Sequence, residues 1–221
     1  YNHRYIIKEN TFMPKIVDHK ARRNELAIAA VTVIARIGVE NMRLIDVAKE
    51  IGGTTGMVTH YLGDKDAVLT AALEYVAEEL LENDSEEACV DLDTLWEFLY
   101  STLPTTDRSR THWAVWLAFW SRASSNSQLA EIHERYNKNF RSSLMGYLQR
   151  ILPPFALLNT SAEEMANAVI AVIDGVSLHA TIEPSAWPAE KLKRQLTLIL
   201  GPILGMPGNI NTSTTKRTNH V

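Results

Sequence analysis

The chain has 221 residues, 46% hydrophobic and 22% charged, the make-up of a globular protein with one domain or a small domain joined to a larger one. The lone Cys89 excludes an intramolecular disulfide framework, and neither a signal-peptide core nor a membrane-length apolar run is apparent, so a cytoplasmic protein with no membrane partner is expected. Net charge is only −4, but residues 1–66 hold ten Lys/Arg against eight Asp/Glu, whereas residues 74–93 hold nine Asp/Glu and no Lys/Arg, a run that reads as a solvated helix face and loop.

The run from Met13 reads like a natural start, which makes residues 1–12 an upstream extension and residues 1–17 together an extension or arm outside the fold. Helical spacing begins in "DHKARRNELAIAAVTVIARIG", where Leu26, Ala29, Ala30, Val33, Ile34 and Ile37 recur at three and four. Asp18 is placed to cap this helix and Gly38 to stop it. A short helix over about Leu44 to Ile51, a turn at Gly52 and Gly53, and a second short helix from Thr54 or Thr55 to Tyr61 follow. A long helix starts near Asp64, with Val68, Ala72, Tyr75, Val76 and Leu80 on one side. Further helices fit residues 92–103, 108–124, 127–151, 161–182 and 189–204, and strand alternation is absent. The polar tail, residues 206–221, is expected to be flexible.

The tight turn has a purpose. A small residue at Ala48 lets a second helix cross closely, and Gly52 can take the left-handed conformation that ends a helix. Val47, Ile51, Val58 and Tyr61 or Leu62 supply the apolar seam. This is the layout of a helix-turn-helix that presents its second helix to the major groove of duplex DNA. Thr54, Thr55, Met57, Thr59 and His60 are expected on the open face, able to approach phosphates and base edges. Lys65 opens the next helix, where the dipole disfavours a cation, so an outside phosphate is the expected partner.

"TTGMVTHYLGDKDAVLTAAL" resembles the signature of TetR-family transcriptional regulators, with Gly56 inside the second helix, the pair His60 and Tyr61, and Lys65 opening the fourth helix. The likeness is strong over residues 18–69 and looser beyond, where "LWEFLYSTLP", "WAVWLAFWSRA" and "VIDGVSLHATI" look like the BetI-like branch. It implies an all-α homodimer that represses transcription until a small ligand releases it from its operator. Thr59 stands where the family often has a phosphate-contacting tyrosine, Leu62 where it often has phenylalanine, and Gly53 where a β-branched residue is common. Arg43 replaces the usual Ser or Thr cap, a charged anchor for a neutral one. The expected division is a helix-turn-helix domain over 18–66 and a helical regulatory and dimerisation domain over 67–205.

In the second half, Trp113, Trp116 and Trp120 lie at i, i+3 and i+7 on one helix face, with Phe119 beside it. Tyr136 and Phe140 share a face of the next helix, and Asp174 and His179 lie on the one after. For any single aromatic, core packing is the simpler explanation, but three tryptophans so placed suggest a small-molecule cavity. A quaternary ammonium ligand suits an aromatic box by cation–π attraction, and an apolar aromatic or acyl ligand fits equally. His179 reads as a hydrogen-bonded wall residue, since no second ligand stands at metal spacing. The long helix opening at Lys65 is the expected continuous link from this cavity to the DNA.

In residues 161–204, Met165, Ala168, Val169, Val172, Ile173 and Val176, then Leu192, Leu196, Ile199 and Leu200, are apolar over more than one face. One face can pack inward and the other needs a partner, giving a four-helix bundle across a twofold axis. An all-helical enzyme is the competing class, and a ligand-binding scaffold dimer without DNA binding is another. No nucleophile–base pair, metal set or phosphate loop is present in the sequence, so no catalytic residue, metal or cofactor is expected.

Overall fold

The computed structural model describes residues 18–82, 91–152 and 160–205; the expected arm at 1–17, Cys89 and the tail at 206–221 lie outside the described residues. Among these, all regular structure is helical: α1 His19–Asn41, α2 Leu44–Glu50, α3 Thr55–Tyr61, α4 Lys65–Glu82, α5 Leu92–Ser101, α6 Asp107–Ala123, α7 Ser127–Ile151, α8 Ala162–Ile182 and α9 Ala189–Leu204.

The expected starts and stops follow from local chemistry. The Asp18 carboxylate accepts the amides of Lys20 at 2.9 Å and Ala21 at 3.1 Å, satisfying donors that the first turn leaves open. Gly38 turns to φ +75° and interrupts the first helix, leaving a short terminal turn to Asn41. Thr54 caps α3 by accepting the Met57 amide, and Asp64 caps α4 by accepting the Ala67 amide at 2.9 Å.

Two apolar cores result. The first holds Leu26, Ile34, Val47, Ala48, Val58, Leu69 and Leu73, and also admits Val115 and Phe119 of α6 and Leu129 of α7. The second joins Leu95, Trp96 and Leu99 of α5 to Leu144 and Leu148 of α7, Val169 and Ile173 of α8, and Leu192, Leu196 and Leu200 of α9. Trp116 packs against both. The packing therefore runs across residue 66, and α6 touches α1 directly as well as α4. This corrects the expectation that α4 alone carries the connection.

By length and composition α8 is apolar enough to cross a membrane, which the sequence reading overlooked. Its inward side instead packs against α6, α7 and α9.

Candidate functional site

The α2–α3 unit is built as a rigid pair. Gly52 takes φ +65°, and the Gly53 amide donates to the Ala48 carbonyl at 2.8 Å, closing the end of α2 where a Cβ in left-handed backbone would be strained. Ala48, Val47 and Val58 are fully buried between α2, α3 and α1. That leaves Thr54, Thr55, Gly56, Thr59 and His60 exposed on one side. Tyr61 is half-buried at the edge, its ring 4.9 Å from that of His60 and 5.2 Å from that of His19.

Three residues of this surface have cover or partners within the chain that their spacing did not show. Met57 is half-buried and packs against the first core, because it borders the buried Val58 and folds over the glycine turn. The Lys65 ammonium donates to the Glu40 carbonyl at 2.9 Å in the DNA-free protein. The end of α1 thus offsets the unfavourable dipole position that the sequence pointed to. The Arg43 guanidinium, largely exposed, bonds the Asp46 carboxylate from Nε at 3.2 Å and Nη2 at 3.3 Å. Asp46 also accepts the Arg43 amide at 3.0 Å, so the cap comes from Asp46, as an arginine side chain has no acceptor.

The second feature is a cavity of about 490 Å³ walled by α4 to α8. Trp113, Trp116, Trp120, Tyr136, Phe140 and Asp174 all line it as their spacing suggests. Trp113 is fixed by an indole N–H bond to the Thr102 carbonyl at 2.8 Å, and the Trp120 ring lies 5.9 Å from Trp113 edge-on and 6.2 Å from Trp116. Phe119 does not line it: one residue round the helix, it is fully buried in the first core. His179 is not a wall residue either. It is exposed and stacks on Trp187 with ring centres 5.8 Å apart, since it sits more than a turn beyond Asp174 and faces outward.

Sequence reading missed the polar wall. Glu79 of α4 takes the Arg108 guanidinium, the Tyr75 hydroxyl and, at 3.1 Å, Nε2 of His112. Burial pushes the Glu79 carboxyl up, but Tyr75, Arg108 and His112 more than offset this and hold it below the ordinary carboxylate range. Burial also pushes His112 down, with Arg108 adding to the effect and Glu79 opposing it, so the ring takes up a proton less readily than a free imidazole. Burial lowers His133 in the same way. Arg108 and His112 precede Trp116 at spacings of four, so helical period was the available signal. Asp174 is pushed up to about 6 by burial alone.

The outer sides of α8 and α9 form a third feature. Leu192, Leu196 and Leu200 are fully buried within the chain, as are Val169, Ile173 and Val176 to within 6%. The apolar side chains left outside are Leu178 and Ile182 of α8 and Leu198, Ile199 and Ile203 of α9, of which the sequence reading named Ile199 alone. Ala168, Ala171 and Gly175 continue the Leu178 and Ile182 stripe and are also exposed.

Residues 92–204 match the family model of the C-terminal domain of BetI-type transcriptional repressors. Over 186 residues the chain is 30% identical to the HTH-type transcriptional regulator BetI of Stenotrophomonas maltophilia strain R551-3, covering 82% of this chain and 92% of the relative. A transcriptional regulator from Rhodococcus sp. Rha1 superposes with a TM-score of 0.72 at 30% identity, covering 82% of this chain and 95% of that one. A regulator from Saccharomonospora viridis, solved in complex with choline, has the same fold, with a TM-score of 0.66 at 22% identity over 82% of this chain and 95% of that one.

Proposed function

This chain belongs to the TetR family of transcriptional regulators, in its BetI-type branch, and from that membership we propose a cytoplasmic repressor that leaves its operator when a small cation enters the aromatic cavity. It is a helix-turn-helix DNA-binding regulator and not an enzyme. In the reading proposed here residues 18–66 are the reading head and residues 67–205 the regulatory body. Thr54, Thr55, Thr59 and His60 face the groove with Gly56, whose missing side chain admits a close backbone approach. Lys65 and Arg43 flank them at phosphate level, and Tyr61 supports the edge.

Asp174 carries the choice of ligand class. A carboxyl opening into a cavity faced by Trp116, Trp120, Tyr136 and Phe140 offers a counter-charge and π faces together, which suits a quaternary ammonium or amine better than a neutral acyl chain. Choline, the ligand of the Saccharomonospora viridis relative, is the natural first probe.

Dimerisation is the third part of the reading. The small residues Ala168, Ala171 and Gly175 let another helix approach α8 closely, and Leu178, Ile182 and Leu198 supply apolar area that the described residues leave exposed. Two copies joined there carry two reading heads, which fits an operator of two half-sites.

A gel shift with the DNA upstream of its own gene, with and without choline, tests the whole. A sequence-specific shift reversed by choline is expected. Choline binding with no shift on any DNA favours a ligand-binding scaffold and sinks the repressor reading.

A further inference from the structure

Gly53 lies in the turn between α2 and α3, yet its backbone does not require glycine. Among the described residues only Gly38, Gly52, Gly63 and Gly205 take positive φ. A Cβ at Gly53 would meet Ile51 Cγ1 at 3.5 Å and the Ala48 carbonyl oxygen at 3.6 Å, both ordinary contacts. The same Cβ would stand 2.1 Å from Cε of Met57. The space is thus filled by the tip of a side chain that belongs to the reading helix. Met57 has three rotatable bonds and two places to put its thioether. One is back over Gly53, where it is half-buried; the other is outward among Thr54, Thr55 and Thr59, which are exposed.

Resting on the DNA-binding reading of α3, we propose that Gly53 sets the base preference of this regulator by withdrawing Met57 from the major groove. With Met57 folded back, the groove face is made of hydroxyls, an imidazole and the bare Gly56 backbone. Gly53→Ala puts a methyl where the Met57 tip now lies. The new methyl makes only ordinary contacts with Ile51 and the Ala48 carbonyl, so the atom that must move is the flexible Met57 tip. It then adds an apolar tip to the groove face, and the matching group on DNA is the C5 methyl of thymine.

The test measures binding of the full-length protein to its own upstream duplex, to single-base variants and to copies with deoxyuridine in place of thymidine. Wild type, Gly53→Ala, Met57→Ala and the double variant are compared. Gly53→Ala is expected to gain about fivefold or more preference for thymine at one position in each half-site. The gain disappears with deoxyuridine and in the double variant, and Met57→Ala alone keeps the wild-type preference. In the free protein, the Met57 methyl is expected to show NMR contacts to the Gly53 α-protons. An unchanged preference in a folded Gly53→Ala variant, the same change without Met57, or a fivefold change from Met57→Ala alone overturns the proposal. A wild type that binds no duplex while keeping the Met57–Gly53 contacts overturns the DNA-binding reading and the proposal with it.

Discussion

Arg122, at the end of α6, closes on Asp66 in the first turn of α4, with Nε at 2.8 Å and Nη2 at 2.5 Å from the same carboxylate oxygen. Asn126 donates to the other oxygen at 3.2 Å, and Arg122 also reaches Glu40 at 3.5 Å. The helix that carries the three tryptophans is therefore tied to the residue next to Lys65, and to the same end of α1 that holds Lys65. A ligand that binds one position of α6 better than another biases the reading head through this joint, and a ligand indifferent to the two positions moves nothing.

Arg122→Ala is expected to leave choline binding within about twofold while reducing the effect of choline on operator affinity at least fivefold, since allosteric couplings run to about 1–3 kcal/mol. The pair is partly exposed, so the loss of stability stays within about 1 kcal/mol. Tryptophan fluorescence titration beside DNA anisotropy separates the two effects. Full release of DNA by choline in this variant removes Arg122 from the path.

In the proposed reading, Lys65 exchanges the Glu40 carbonyl for a phosphate on binding DNA. Lys65→Ala should weaken binding to all duplexes alike and reduce the slope of log affinity against log salt by about one. A slope equal to that of the wild type assigns Lys65 to the carbonyl alone.

Asp174 gives the empty protein a pH signature. Its folded pKa of about 6 lies above the ordinary carboxyl value of 3.8, so between these values the folded state keeps a proton that the unfolded state has released. The Asp174 contribution to stability is therefore greatest below pH 4 and declines by up to about 3 kcal/mol as pH rises through 6. Asp174→Asn should remove that part of the slope in denaturant titrations. Affinity for choline runs the other way, rising about tenfold from pH 5 to pH 7, because the cation prefers the ionised carboxylate. His133 and His112, both lowered by burial, and the Glu79–Arg108 pair face the same cavity, so the comparison is made against Asp174→Asn. A pH dependence that survives in that variant assigns it to the histidines.

Trp116→Ala should lower choline affinity by about 0.5–2 kcal/mol through loss of a π face, with ligand-free operator affinity within about twofold of wild type. Because Trp116 also touches both cores, thermal melting is read alongside. A variant that loses DNA binding without ligand makes this tryptophan a structural element rather than a pocket wall.

Leu198, 65% exposed in the protomer, and Leu196, fully buried two residues away, separate assembly from folding. Leu198→Glu should give a folded monomer in sedimentation at micromolar concentration, whereas Leu196→Glu should fail to fold, an unpaired charge in an apolar core being costly. A wild-type monomer at that concentration rejects the dimer.

The amino-acid order alone determined the nine described helices almost to the residue, because Asp18, Thr54, Asp64 and the glycines at 38 and 52 act on backbone groups within a turn of themselves. It also determined that Trp113, Trp116 and Trp120 share a face, since helical period is local. Only the tertiary structure decided what each face meets. Phe119 is as apolar as Trp116, yet α6 is buried on two sides, and period does not say which side is a core and which a cavity. The same limit hid the outward role of His179 and the split between Leu196 and Leu198. Lys65 found the Glu40 carbonyl, and Met57 found the space over Gly53, through contacts between different elements, whose geometry exists only once the helices have packed.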